Sequence, residues 1–137
     1  MATLQDIRRV KYPHLAISMS GDDYASIVWL APDGSPWTGS VPTEVEMRAF
    51  SDEVDLQLAR EEMIVSPRQF RLALLGAGLY ASFKAMVAAA DEATQITVEY
   101  AVRFERLSPL VDVFAAQAGM SAAQVDAIFE AAGAIGD

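Results

Sequence analysis

The sequence has no cysteine and only one histidine, His14. Without cysteine the chain can form no disulfide and has no thiolate to serve as a nucleophile or a zinc ligand. A lone histidine at the exit of a predicted helix is more often a surface or capping residue than a general base, and no residue in the sequence pairs with it. The sequence therefore predicts no catalytic residue, no cofactor and no enzyme.

Basic residues are also scarce, because ten Lys and Arg face nineteen Asp and Glu, for a net charge of −9. A surface of this sign repels nucleic-acid phosphates and anionic lipid headgroups. No apolar run approaches the roughly 20 residues that span a bilayer, and the first residues contain no apolar signal core. We therefore expect a chain of cytoplasmic origin with no nucleic-acid partner and no membrane span.

The first 42 residues combine a short helix with a β-hairpin. Leu4, Ile7 and Val10 recur at helical spacing, and Pro13 ends that helix. Two short apolar runs then flank Gly21-Asp22-Asp23, which is typical of a hairpin turn. The turn accounts for both aspartates, because the other ligands of a calcium-binding loop are missing.

Two tryptophans in this region are candidate partner-binding residues. Trp29 lies in the second predicted strand, which also contains Ile27 and Val28, and Trp37 lies in a Pro- and Gly-rich loop from Pro32 to Pro42. Tryptophan is enriched at interface hot spots, so either side chain could anchor a partner. Trp37 has an alternative that we favour, in which its ring folds back over the hairpin.

From Thr43 the pattern becomes helical. Thr43 and Glu46 predict a capping box, and an apolar stripe then continues to Glu62. The stripe consists of Met47, Phe50, Val54 and Leu58. The opposite face is acidic, with Glu44, Asp52, Glu53, Asp55 and Glu61. A charge run on one helix is usually a solvated face, so we predict no metal site there.

The longest apolar stretch, Val65 to Ala90, predicts two core helices. Ser66 and Pro67 are a cap and a first-turn proline. The apolar face of the first helix is predicted to contain Phe70, Ala73, Leu74 and Ala77, widened by Leu72, Leu75 and Leu79. Gly76 and Gly78 predict a break before a second helix from Tyr80 to Ala90.

Residues 96 to 105 fit two periodicities. Ile96, Val98, Tyr100, Val102 and Phe104 alternate as in a strand, but Ile96, Tyr100 and Phe104 also share one helical face. We predict a helix, with Glu99 and Arg103 paired four residues apart, because a lone strand would have no pairing partner.

Two further helices follow. Ser108-Pro109 begins one that ends at Gly119, and Ser121 with Gln124 caps the last. The buried face of that last helix is predicted to be Val125, Ile128, Phe129 and Ala132.

These patterns predict an α+β fold, with an N-terminal helix and small β-hairpin followed by a mostly helical bundle of about five to six helices. The predicted parts are residues 1–42 and residues 43–137, packed as one compact unit or connected flexibly at Glu62 to Val65. The alanine-rich helical stripe is compatible with a bundle inside one chain and with a homo-oligomer.

Several stretches resemble small proteins encoded beside the tail and tail-fibre genes of double-stranded DNA bacteriophages. The N-terminal ones are IRRVKYPHL and PTEVEMRAF, and the later ones are RQFRLALLGAGL, VEYAVRFERLSPLV and GMSAAQVDAIF. The resemblance implies a non-enzymatic role in building or decorating the tail, with other tail or fibre proteins as partners. It also implies a location in the virion tail, or in the host cytoplasm during assembly.

Three functions therefore stay open at this point. The first is a tail or tail-fibre-associated protein that acts by protein–protein contact, either retained in the particle or acting as a fibre-assembly chaperone. The second is a small enzyme or metal-binding domain that uses the acidic residues. The third is a regulatory helical bundle that binds a host protein.

Overall fold

The computed structural model of the protein describes residues 1–136. Within them are eight α-helices, one short 3-10 helix and two antiparallel two-stranded sheets. The helices are α1 Leu4–Lys11, α2 Glu44–Arg48, α3 Ser51–Glu61, α4 Pro67–Gly76, α5 Tyr80–Ala89, α6 Glu92–Glu99, α7 Pro109–Ala118 and α8 Ala122–Gly133. The strands are β1 Ala16–Ser18, β2 Val28–Leu30, β3 Ile64–Val65 and β4 Phe104–Glu105, and the 3-10 helix is Tyr24–Ser26. The predicted fold class is confirmed.

The chain forms two compact units, the first from Met1 to Ala59 and the second from Arg60 onward. This division differs from the predicted parts 1–42 and 43–137, of which Asp137 lies outside the described residues. The boundary lies later because Met47 and Val54 are buried in the same cluster as Leu4 and Ile7. Helix α2 and most of helix α3 therefore belong to the same unit as the N-terminal helix and the hairpin.

In the first unit, α1 begins at a capping box in which Thr3 and Asp6 cap each other's backbone N–H groups. Leu4 and Ile7 form its buried face. The predicted hairpin is present, with Ile17 opposite Trp29. Its connection is longer than a tight turn, because the 3-10 helix lies between the strands and Ile27 falls outside β2.

The predicted helix from Thr43 to Glu62 is broken, which makes the helix count after the hairpin seven instead of five to six. The N–H of Phe50 donates to the carbonyl of Met47, three residues back, so a tight turn separates α2 from α3. Thr43 caps α2 by accepting from the N–H of Glu46. Apolar spacing did not reveal the break, since Met47 and Val54 remain buried on both sides of it.

The core of the second unit is aromatic. The ring of Phe70 on α4 stacks on Phe104 at 4.6 Å between centroids, and Phe83 and Phe129 lie 5.5 Å from it. The caps predicted at Ser66, Ser108 and Ser121 are all formed. The predicted buried face of α8 is also confirmed.

The predicted apolar face of α4 was too wide. Phe70, Ala73 and Leu74 are buried, but Ala77 is exposed, and Leu72 and Leu75 are 37% and 59% exposed. Ala77 lies past the last turn of α4, and Gly78 follows with a φ of 74°, so the chain turns away before this position can face the core.

The predicted helix over 96–105 was wrong beyond Glu99. Helix α6 ends there, and Phe104–Glu105 pairs as β4 with β3, Val65 lying opposite Phe104. The argument that a strand would have no partner failed because Ile64–Val65, which one of the two alternatives made part of a flexible connection, is itself a strand. The predicted pair of Glu99 with Arg103 is replaced by Arg103 with Glu105, at 2.9 Å.

Candidate functional site

A cleft of the second unit lies among α4, α5 and α6 and has a volume of about 560 Å³. We call it the α4–α6 cleft. Its apolar floor consists of Phe83, Val87 and Val98, of which Phe83 and Val98 are buried. Its polar rim consists of Arg71, Tyr80, Lys84, Gln95 and Glu99. Apolar floors with a few polar groups are typical of binding sites of this size.

Local sequence signals build this cleft. Gly78, with its left-handed backbone, lets the chain turn from α4 into α5. Asp91 caps the start of α6 by accepting from the N–H of Thr94 at 2.9 Å. The side-chain amide of Gln95 then donates to the carbonyls of Ala88 and Ala90, at 3.2 and 3.0 Å. These bonds fix the corner between α5 and α6, and with it the shape of the cleft wall.

Two cationic side chains of the rim have only ring contacts. The guanidinium carbon of Arg71 lies 5.9 Å from the ring centroid of Phe104, and Nζ of Lys84 lies 4.9 Å from that of Tyr80. Neither has a hydrogen bond or ion pair to another described residue. Basic residues that do have such partners are Arg8, Lys11, Arg48, Arg60, Arg68, Arg103 and Arg106.

A second polar cluster in the same unit consists of two arginines that share one carboxylate. Nε of Arg106 donates to Asp126 at 2.7 Å, while Arg60 donates through Nε at 3.0 Å and through Nη2 at 2.9 Å. Hydrogen bonds from Arg60, followed by those from Arg106, hold the pKa of Asp126 below its usual value despite desolvation. The cluster links the end of α3 and the segment after β4 to α8, which is a structural task.

The predicted contact residues Trp29 and Trp37 lie together in the first unit. The N–H of Trp37 donates to the carbonyl of Trp29 at 3.1 Å, so the loop folds back along β2. The indole N–H of Trp37 donates to the carbonyl of Ser40 at 3.0 Å, and its ring covers the backbone of Gly39. Both side chains are half-buried, and Trp29 also contacts Tyr24 edge-on. A partner could reach only their remaining exposed edges.

Asp22 has a task that sequence reasoning missed. Its carboxylate accepts from the N–H of Leu4 at 2.6 Å and from Arg48 at 2.9 Å. The bond from Leu4, more than that from Arg48, lowers the pKa of Asp22. Asp22 thus holds the segment between β1 and β2 against α1 and α2, while Asp23 caps the 3-10 helix.

The remaining candidates are on the surface. His14 is exposed, and its ring lies 5.8 Å from that of Trp37. On the acidic helix face, Glu53 pairs with Lys11 at 2.8 Å and Glu44 with Arg48 at 3.3 Å. Across residues 1–136, no three His, Asp or Glu side chains converge as metal ligands do.

Large apolar side chains are exposed at and after the end of α6. Ile96 is 55% exposed, Tyr100 73% and Val102 86%. The N–H of Tyr100 donates to the carbonyl of Ile96 at 3.0 Å, so these two side chains lie one helical turn apart on the same side. Both competing periodicities counted Ile96 and Tyr100 as core, and the strand periodicity also counted Val102.

In the part of the chain that the structure describes, every helix is too short or too polar to cross a bilayer. Comparison with models of known protein families, with curated proteins and with solved structures finds no match.

Proposed function

We propose that the protein is a non-enzymatic bacteriophage tail or tail-fibre-associated protein that acts through protein–protein contacts. One observation supports a contact role above the others, namely the exposure of Ile96, Tyr100 and Val102 close together in the chain. Exposed large apolar groups with a tyrosine among them are typical of interfaces. The setting in a phage tail rests on the sequence resemblance.

The mechanism is burial of this surface against another tail or fibre protein, in the particle or in the host cytoplasm during assembly. Ile96 and Tyr100 lie one turn apart and would enter the same partner pocket. Burying each such side chain contributes about 1.5–3 kcal/mol before the costs of association. Trp29 and Trp37 stay predicted contact residues of the first unit.

The test is site-specific crosslinking in cells that produce the particle. A photoreactive phenylalanine analogue replaces Tyr100, and a matched control carries it at Ala116, which is exposed on α7 of the same unit. We expect position 100, and not position 116, to crosslink to a tail or fibre protein. Equal crosslinking from both positions, or none to any particle protein, would contradict the proposal.

Quantitative mass spectrometry of purified particles then separates the two forms of the role. A fixed copy number relative to the tail proteins indicates a structural component. Absence from particles together with abundance in the lysate indicates an assembly chaperone, provided that the crosslinked protein is a fibre. A crosslinked host protein would instead favour the host-directed regulatory function.

A further inference from the structure

We propose that the α4–α6 cleft binds a segment of the partner protein that carries a single acidic residue beside a large apolar one. The inference rests on the proposed contact function and names the chemistry of the partner. It starts from Arg71 and Lys84, whose charges no described residue of the protein neutralises by a hydrogen bond or ion pair. Nineteen acids are available in the sequence, so the lack of a partner does not follow from a lack of acids.

The rim determines the charge of the ligand. Arg71 and Lys84 contribute two positive charges and Glu99 one negative charge, which leaves a net charge of +1 around the cleft. One carboxylate balances that charge. A polyanion such as nucleic acid is disfavoured, because the whole chain has a net charge of −9 and repels it.

The floor determines what lies beside the carboxylate. Phe83, Val87 and Val98 line the same cleft as the two cations and offer an apolar surface on which a leucine or phenylalanine side chain can pack. Arg71 on α4 and Lys84 on α5 both line the cleft, and their charged ends lie near the rings of Phe104 and Tyr80, respectively.

A peptide segment fits the cleft better than a small molecule does. The cleft is open to solvent and not enclosed, whereas small-molecule sites bury most of the ligand surface. An open groove allows a chain to enter and leave at its two ends. This favours a segment of a protein as the occupant.

The experiment is an NMR titration of the full chain with two blocked hexapeptides, one with a central Leu-Glu pair and one with Leu-Gln. We expect the glutamate peptide to shift the amide signals of the cleft residues. We also expect it to bind roughly tenfold more tightly than the glutamine peptide, as one screened charge-assisted hydrogen bond would give.

Two variants connect this preference to the rim. In Arg71→Gln/Lys84→Gln the tenfold preference should disappear. A matched control, Arg68→Gln/Arg103→Gln, removes the same charge from exposed residues outside the cleft and should keep the preference. The variant Glu99→Gln should strengthen glutamate-peptide binding by roughly two- to threefold, a gain that misfolding cannot imitate.

Several results would overturn the proposal. They are equal affinity for the two peptides, no shift of the amide signals of the cleft residues, and loss of the glutamate preference in the control variant as well. Weaker binding of the glutamate peptide to Glu99→Gln would also overturn it. If sodium 3-phenylpropionate binds more tightly than the glutamate peptide, the ligand of the cleft is a small carboxylate and not a protein segment. Crosslinking at Tyr100 tests the contact function separately, because Tyr100 does not line the cleft.

Discussion

Replacing Asp126 by alanine removes the one carboxylate that two arginines share. The side chain of Arg106 is 6% exposed, that of Asp126 14% and that of Arg60 20%. After the substitution, Arg106 keeps only a long bond of 3.3 Å to the carbonyl of Ala122. A buried guanidinium then lies without its counter-ion, which is among the costliest defects in a protein interior.

The size of the effect follows from this burial. Breaking a buried ion pair by removing one partner costs about 3–5 kcal/mol. Arg60 is more exposed and can turn toward water, so we expect the lower end, about 3 kcal/mol, for Asp126→Ala. The measurement is urea unfolding followed by far-ultraviolet circular dichroism, with the free energy of unfolding extrapolated to water.

The matched control is Glu130→Ala, which removes an exposed acid one turn further along the same helix. We expect the control to change the free energy of unfolding by no more than about 0.5 kcal/mol. A loss below about 1 kcal/mol in Asp126→Ala, or equal losses in both variants, would refute the view that the carboxylate neutralises a buried arginine.

The same cluster predicts a pH dependence. The pKa of Asp126 is lower in the folded protein than in the unfolded chain, chiefly because of hydrogen bonds from Arg60. Its stabilising effect is therefore complete above the unfolded-state pKa of about 3.9 and is lost as the pH falls through the folded-state pKa. The stability difference between wild type and Asp126→Asn should shrink below about pH 4. A difference that stays constant into stronger acid would contradict the assignment.

Three further predictions concern packing, backbone and tethering. By urea unfolding, Phe70→Ala should cost about 3–5 kcal/mol because its ring contacts three others, whereas Leu75→Ala on the same helix should stay within about 0.5 kcal/mol. By thermal melting, Gly78→Ala should cost about 1 kcal/mol because its φ is 74°, while Gly76→Ala at the end of α4 should gain about 0.5 kcal/mol. Asp22→Ala should cost about 1 kcal/mol in tryptophan fluorescence unfolding, because the N–H of Leu4 loses its acceptor. The packing argument would be contradicted by equal losses of stability in Phe70→Ala and Leu75→Ala, and the backbone argument by equal changes in the two glycine variants. An unchanged stability of Asp22→Ala would contradict the role given to Asp22.

Helix starts could be predicted because all the groups involved lie within three residues. Ser66 accepts from the N–H of Gln69, and Ser121 accepts from that of Gln124, as their spacing indicated. Such a cap depends on backbone geometry that the local sequence determines by itself. Sequence reasoning therefore gave most helix starts correctly, although it missed the capping box of Thr3 and Asp6.

The state of residues 96–105 could not be decided locally. Both periodicities are present, and the strand forms only because Val65 lies opposite Phe104. Pairing between segments so far apart in the chain depends on how α4, α5 and α6 fold between them. A two-residue strand such as Ile64–Val65 is too short to leave a periodic signal of its own. The break at Phe50 also left no periodic signal, because the chain turns there within three residues, where the N–H of Phe50 donates to the carbonyl of Met47.

The charged residues of the candidate site could not be identified from local sequence either. The sequence drew attention to Trp29 and Trp37 because tryptophan is a conspicuous residue type, but nothing in it distinguishes Arg71 and Lys84 from the other bases. What distinguishes them is the absence of a hydrogen-bonding or ionic partner within residues 1–136, and only the structure shows this. Arg60 and Arg106, for example, share Asp126. Several bases pair with an acid of the protein, among them Lys11, Arg48, Arg60, Arg103 and Arg106, whereas Arg8 and Arg68 donate to backbone carbonyls. Arg71 and Lys84 have neither kind of partner among the described residues and lie on the rim of an apolar cleft, which is the basis of our proposal that the bound segment carries a carboxylate.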